Sequence, residues 1–409
     1  MLDFSEEIIL RGHIIDSWTL PKVFDKVMDL GGTFDLLQIE VGRKKDQPSF
    51  AHLRVAADNV VQLQRILSAL QTYGAELVSG EDVQTLESPG DGLLPDGFYS
   101  TTNLPTQVRL SGHWVDVEGV EMDLVISVDL ASGAARMLPM GDVRRGDRIA
   151  VSHEGIRVQP QERSRDREIF TFMSSEVSSE KPKRTVIAEI AREMRDTRAR
   201  GQKILVVGGP AIIHTGAAPY LARIIRAGYV QVLFGGNAIA THDVESVLYG
   251  TSLGVDLETG HGVPEGHLHH MKAINAVRKA GSLKAMVESG ALSRGIMYEC
   301  VKNGVEFVLA GSVRDDGPLP DVITDSGESQ RRMRAALPGV GMALMVATML
   351  HSIATGNMLP ASVKTVAVDI NPAAVTKLAD RGTFQALGVV TDAELFLRVL
   401  AEALGLAQD

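Results

Sequence analysis

Cysteine is almost absent: Cys300 is the single one in 409 residues. That excludes an internal disulfide framework and a thiolate zinc cluster, and it fits a reducing compartment. Cys300 lies in GIMYECVKNG, a helical pattern where a buried structural thiol is the expected role and a nucleophile the alternative. Aromatic residues are scarce at 5%, and the formal charge is −10. No basic stripe interleaves with aromatics, so no nucleic-acid surface is expected. No apolar run is long enough to span a bilayer; the longest, 340–350, ends at His351-Ser352. The opening residues, MLDFSEEIILRGHIID, are acidic where an export signal is basic, which points to a cytoplasmic protein with no membrane partner. Two nucleotide motifs are missing as well. No G-x-G-x-x-G follows an apparent strand, Gly339-Val340-Gly341 being the nearest approach. No G-x-x-x-x-G-K-[ST] occurs either, which disfavours ATP hydrolysis.

What is present is organised around Lys203–Asp243. Two apolar runs, Ile204–Val207 and Val230–Phe234, each stop at a Gly-Gly pair, and Ala217–Ala227 between them has helical spacing. The pattern reads as a βαβ unit of a parallel sheet, whose ligands sit outside the carboxyl ends of the strands. Glycine there lets backbone approach a phosphate or a ring. Further apparent strands at 305–310, 342–347, 365–368 and 387–390 extend the sheet, although 342–347 reads equally well as buried helix. Helical spacing recurs at 185–200, 267–280, 283–289, 329–337 and 373–379.

The strand ends carry the chemistry. In order they are Gly208-Gly209, Gly235-Gly236-Asn237-Ala238, Gly311 through Asp316, Thr348-Met349-Leu350-His351, Asp369-Ile370-Asn371 and Thr391-Asp392. A structural sheet needs turn residues at these places, but not carboxylates at three of them. Asp369 suits a carboxylate accepting the ribose hydroxyls of an adenosine, or alternatively a helix cap before Pro372-Ala373. A second constellation runs from Asp256 through Glu258, His261, Glu265 and His267 to His269-His270. It suits proton transfer or the positioning of an amine, with solvated histidines at a helix start as the plain reading. No metal is expected, because the histidines lack zincin spacing and a cysteine partner.

Upstream, residues 7–80 follow the order βαββαβ: strands at 7–15, 34–41, 50–56 and 75–78, with helices at 20–30 and 60–73. That is the order of a ferredoxin-like module. Residues 81–180 break into short alternating runs at 107–110, 123–128, 136–139, 148–151 and 155–158, a small β unit of partial-barrel or sandwich type. Charged, serine-rich stretches at 162–168 and 174–183 read as a linker. The expected division is 1–84 (ferredoxin-like), 85–180 (β unit and linker) and 181–409 (α/β).

Several strings carry a resemblance: GGPAIIHTGA, FGGNAIATHDVE, GTSLGVDLETG, GSVRDDGPLPDV, TMLHSIATGN and VAVDINPAAVTKLADRG. They resemble the archaeal-type ornithine cyclodeaminases and the C-terminal part of the cyanobacterial bifunctional arginine dihydrolase/ornithine cyclodeaminases. The N-terminal module is similar to the conserved region of plant lysine-ketoglutarate reductase/saccharopine dehydrogenases (LOR/SDH). More distantly, the C-terminal domain resembles the NAD-binding fold of deoxyhypusine synthase. The resemblance implies a parallel-sheet domain holding NAD through Asn237, Ala238, Asp316, Thr348, Met349, Leu350, His351, Asp369 and Asp392. It implies conversion of L-ornithine to L-proline and ammonia, in a homo-oligomer. His261 and Glu258 are then the candidates for proton work and Arg314 for the substrate carboxylate, each with a structural alternative. Two other readings stay open: an NAD-dependent amino-acid or saccharopine-type dehydrogenase, and a non-catalytic NAD-sensing regulator.

Overall fold

A computed structural model describes residues 4–44, 47–78, 80–159, 183–315, 317–380 and 386–406. The expected linker at 162–168 and 174–183 falls almost wholly outside the described residues. The chain divides into two compact units. The first holds the described residues up to 159 with Asn357–Ser362; the second holds those from 183 to Gly356 and from Val363 onward.

Strict alternation builds the start of the first unit. Along β3 (Ser49–Ala57), Ala51, Leu53, Val55 and Ala57 are fully buried while the residues between them reach the surface. The other elements of this module are β1 (Phe4–Gly12), α1 (Thr19–Asp29), β2 (Thr33–Glu40), α2 (Val60–Gln71) and β4 (Glu76–Leu77). Asn59 starts α2 by accepting the Gln62 backbone N–H at 2.9 Å. The strand order β2-β3-β1-β4, antiparallel throughout, is the ferredoxin-like arrangement expected from the sequence.

A second sheet follows, formed by β5 (Gln84–Glu87), β6 (Thr106–Leu110), β7 (His113–Glu118), β8 (Val125–Asp129), β9 (Ala134–Leu138), β10 (Arg148–Val151) and β11 (Ile156–Val158). Its order is β11-β6-β7-β9-β8-β10-β5, around Val108, Ile126, Ala150 and Ile156. The sequence reading missed β5 and β7, because QTLE and HWVDVE carry too few apolar residues to stand out from turns.

In the second unit α3 (Lys183–Ala199) leads into β12 (Lys203–Gly208), α4 (Ala211–His214), α5 (Ala218–Arg226), β13 (Val232–Gly236) and α6 (Asn237–Tyr249). A small hairpin, β14 (Thr251–Ser252) and β15 (Val255–Asp256), precedes α7 (His269–Ala280), α8 (Leu283–Glu288) and α9 (Ile296–Lys302). Then come β16 (Glu306–Ala310), β17 (Val322–Ile323), α10 (Ser326–Ala336), β18 (Val340–Val346), α11 (Leu350–Met358), β19 (Lys364–Asp369), α12 (Pro372–Asp380), β20 (Ala386–Val390) and α13 (Ala393–Ala403).

The large sheet is parallel throughout, in the order β17-β16-β13-β12-β18-β19-β20. All seven residues of β18 are buried, which resolves the 342–347 ambiguity in favour of a central strand. β17 escaped the sequence reading because only two residues pair. The chain runs outward from β12 in one direction, returns, and runs outward from β18 in the other. The reversal lies between β12 and β18, and a sheet of this kind opens a crevice beyond the carboxyl ends of the strands there.

Candidate functional site at the sheet switch point

The two loops that flank the reversal touch. A Cβ on Gly209 would lie 1.9 Å from the Ala347 carbonyl oxygen, so only glycine permits the approach. The Gly209 N–H donates to the Val346 carbonyl at 3.0 Å. Ala347 itself is left-handed, at φ +53°, a conformation costing an alanine on the order of 1 kcal/mol. Its N–H donates to Val368 at 2.9 Å, which ties the strained residue to β19.

The second glycine pair differs from expectation. Gly235 and Gly236 belong to β13, and α6 starts directly at Asn237 with no loop between. A Cβ on Gly236 would meet His351 Cε1 at 2.9 Å, so the imidazole rests on that glycine. Since β12 lies between β13 and β18, His351 reaches from the start of α11 across the end of β12. Burial pushes the His351 pKa down, and the Asp315 carboxylate opposes that shift.

Asn237 is 9% exposed, and its Oδ1 accepts from the Leu319 N–H at 3.1 Å and the Thr241 hydroxyl at 3.2 Å. It thereby fixes the segment after β16. Among the described residues no side chain caps α6, so the first N–H groups of the helix, at Asn237 and Ala238, suit an anion such as a phosphate.

On the other side of the reversal, Thr348 and the exposed Met349 and Leu350 lead into α11. The Thr348 carbonyl accepts the Ser352 hydroxyl. Asp369 ends β19 half-buried, its Oδ1 accepting the Asn371 N–H at 2.8 Å. The cap of α12 is Asn371, whose Oδ1 accepts the Ala373 N–H at 3.0 Å; the alternative role for Asp369 as that cap is therefore not what the structure shows. Asp392 does cap a helix: its Oδ1 accepts from Glu394 N at 2.8 Å and Leu395 N at 3.2 Å, starting α13. Beside it, the buried Thr391 hydroxyl has no hydrogen-bond partner, a polar group that a ligand would satisfy. Asp316 lies outside the described residues. The glycine cradle, the uncapped helix start and the orphaned hydroxyl fit a dinucleotide laid along this rim.

Glu258, His261 and Arg314 occupy exposed segments. Glu258 and His261 share one turn, in which Asp256 Oδ1 accepts from Glu258 N, Thr259 N and the Thr259 hydroxyl at 2.7–3.1 Å. Those bonds hold the Asp256 pKa below its usual range. The Arg314 N–H donates to Ser312 Oγ at 3.2 Å. Among the described residues no cluster of three or more His, Cys, Asp or Glu is arranged to hold a metal ion. Cys300 is buried, and burial pushes its thiol pKa up, so it is inert as a nucleophile.

Sequence reasoning missed a polar group beside this rim. His242 and Glu245, three apart on α6, are buried and joined at 2.7 Å, and His214 at the end of α4 packs edge-on against His242. Their i, i+3 spacing inside THDVE was the available signal. Asp243 between them is structural: fully buried, it accepts the Ile296 and Met297 N–H groups at 2.9 and 2.8 Å and starts α9.

Three family profiles cover the chain. Residues 188–400 match the Rossmann-fold part of the arginine dihydrolase ArgZ-like C-terminal region, 105–187 match its first region, and 5–104 match the LOR/SDH bifunctional enzyme conserved region. Ornithine cyclodeaminase of Methanocaldococcus jannaschii is 54% identical over 407 residues, covering 98% of this chain and 96% of that protein. Among solved structures, apo ArgZ, a cyanobacterial arginine dihydrolase, superposes with a TM-score of 0.86 at 41% identity, over 98% of this chain and 58% of that one. The ternary complex of AgrE with ornithine and NAD+ aligns with a TM-score of 0.54 at 42% identity, over 98% and 57% of the two chains. By the profile across its parallel-sheet unit and a relative matched nearly end to end, the chain belongs to the archaeal-type ornithine cyclodeaminase family, which shares its architecture with the C-terminal part of the ArgZ-like enzymes.

Proposed function

We propose that this protein converts L-ornithine to L-proline and ammonia with NAD retained through turnover. The observation that carries the reading is the rim itself. Gly209 meets Ala347 and Gly236 lies beneath His351 at the reversal of a parallel sheet, in a chain of this family. Bound there, NAD supplies a reversible hydride acceptor for Cα of the substrate.

The chain's own residues do the rest. The start of α6, at Asn237 and Ala238, receives the pyrophosphate. Asp369 accepts ribose hydroxyls through its remaining carboxylate oxygen, and Asp316, Asp392 and Thr348–His351 complete the cofactor contacts. Arg314 holds the substrate carboxylate, and Glu258 and His261 serve the amino groups at the mouth. Oxidation at Cα yields a 2-imino acid, which the δ-amine of the same molecule attacks. Such intramolecular attack has an effective molarity of order 10⁵ M or more, so holding the chain folded replaces most of the chemistry a second reactant would need. Ammonia departs, and the cyclic imine is reduced to proline. The site must therefore exclude water from the imine.

The same reading places the protein in the cytoplasm; among the described residues no helix is long and apolar enough to cross a membrane. It also makes the protein a homo-oligomer. β2 is an edge strand that exposes Leu36, Leu37 and Ile39, an apolar stripe suited to a second copy.

The test is turnover of ornithine by purified protein with no cofactor added. Ammonia and proline are expected without accumulation of reduced nicotinamide. Accumulation would make it a dehydrogenase, and silence with every amino acid would make it a sensor.

A further inference from the structure

Glu245 is fully buried and collects four donors. Its two oxygens accept from His242 Nδ1 at 2.7 Å, the Thr251 hydroxyl at 3.0 Å, Gly254 N at 3.1 Å and Leu253 N at 3.3 Å. Burial acts to raise its pKa, but the bonds from His242, Gly254 and Thr251 outweigh it and hold the group ionised. An ionised carboxylate has no hydrogen to give. His242 Nδ1 must therefore carry the proton of that bond, so in the neutral ring the lone pair lies on Nε2. Thr251 has one hydroxyl hydrogen, and it goes to Glu245. Its lone pair then receives the His269 Nδ1–H at 2.8 Å, so the neutral His269 ring likewise carries its lone pair on Nε2. One carboxylate thus fixes the tautomers of two histidines.

The place matters as much as the tautomer. α6 starts at the rim with Asn237, and His242 lies little more than one turn further on. Its side chain is mostly buried, at 10% exposed. The His214 ring stands edge-on to it with centroids 4.9 Å apart, anchored through Nδ1 to Ser252 Oγ at 2.7 Å. Burial, and His242 after it, depress the His214 pKa against the pull of Glu245. The charged and titratable groups facing His242 are Glu245 and His214, with His269 behind Thr251; Asp243 turns away to α9.

We infer that His242, rather than Glu258 or His261 on their exposed turn, is the base that frees the δ-amine of ornithine, that Glu245 is its positioning residue, and that the His214 ring packed against it holds the imidazole in place. The inference rests on the proposed reaction. The δ-ammonium N–H bond breaks, leaving its electron pair on nitrogen, while a new N–H bond forms at His242 Nε2. The freed pair closes the ring onto the imino carbon, the C=N π pair moves to the α-nitrogen, and the ring nitrogen passes it one proton; the ring nitrogen's lone pair then forms the cyclic imine as the bond to the α-nitrogen breaks. The imidazolium, stabilised by Glu245, then returns its proton to the departing ammonia, so no proton is gained or lost over the cycle.

His242→Asn is the discriminating variant, because an asparagine amide still donates to Glu245 but offers no base. Ammonia release should fall by about 10²- to 10⁴-fold with NAD binding unchanged, and added imidazole should restore part of it. Glu245→Gln should move the acid limb of the kcat/KM profile to lower pH, since removing an anion makes the base harder to protonate. Nitrogen-15 imidazole spectra of the unsubstituted protein should show His242 and His269 protonated at Nδ1, a readout independent of any variant's folding. Full activity in His242→Asn, or an Nε2–H tautomer at His242, overturns the inference and leaves the proposed reaction standing. Unsubstituted protein that releases no ammonia from ornithine removes both.

Discussion

β3 and β18 bury their side chains by opposite rules. β3 alternates, one face against α1 and α2 and the other outward, whereas β18 is buried on every residue. A sheet covered on one face keeps a broad open surface, and the neighbouring β2 exposes Leu36, Leu37 and Ile39 along it. A sheet covered on both faces has only its rim left. That is why polar and glycine residues of the second unit collect at strand ends, and why small-molecule chemistry belongs there.

The comparison breaks first at Gly209. Gly209→Ala forces a methyl group onto the Ala347 carbonyl, and a loss of about 3 kcal/mol or more in denaturant unfolding is expected, with NAD binding abolished. Next, the two sheets should respond unequally to the same truncation. Leu344→Ala in β18, where the side chain is 1% exposed, should cost about 2–5 kcal/mol, while Leu36→Ala in β2, at 44%, should change stability by roughly 0.5 kcal/mol or less. Equal costs would remove the distinction between core and open face. Asp369→Asn should weaken NAD about tenfold by calorimetry without shifting the unfolding midpoint, because its carboxylate caps no helix and keeps an oxygen for the ligand.

The smallest effect is a pH slope. Burial lifts the Asp243 pKa from 3.8 to about 6, against the pull of the Met297 and Ile296 N–H groups. A carboxyl raised on folding holds its proton more tightly in the native state, so its contribution is complete below the unfolded value and is lost as pH rises through about 6. Asp243→Asn should flatten the fall in stability between those two values, measured as unfolding midpoints against pH.

How far the sequence could be read follows the same division. β3 and α2 announced themselves by their periods, and the first two parallel strands by apolar runs ending in glycine; the Asn59 cap of α2 emerged only in the structure. β5, β7 and β17 did not, being too polar or too short for any period to emerge. At the rim, Gly209, Gly236 and Asp369 were visible because residue type alone marks a close approach or an unpaired charge. His242 and Glu245 were not, since their meaning lies in Thr251, Gly254 and His269, which join them only after the hairpin folds back. Glu258 and His261 drew notice as a cluster in the chain, yet they sit on an exposed turn whose order comes from Asp256.

Ala347 has a consequence beyond geometry. An L-residue twisted left-handed at the hinge of the crevice stores elastic energy in the resting protein, and substitution by glycine would relax it. The native alanine therefore keeps the rim stiff at the expense of overall robustness. A variant selected for heat resistance at this position would gain melting temperature and loosen its grip on the cofactor, a trade between durability and fidelity written into one methyl group.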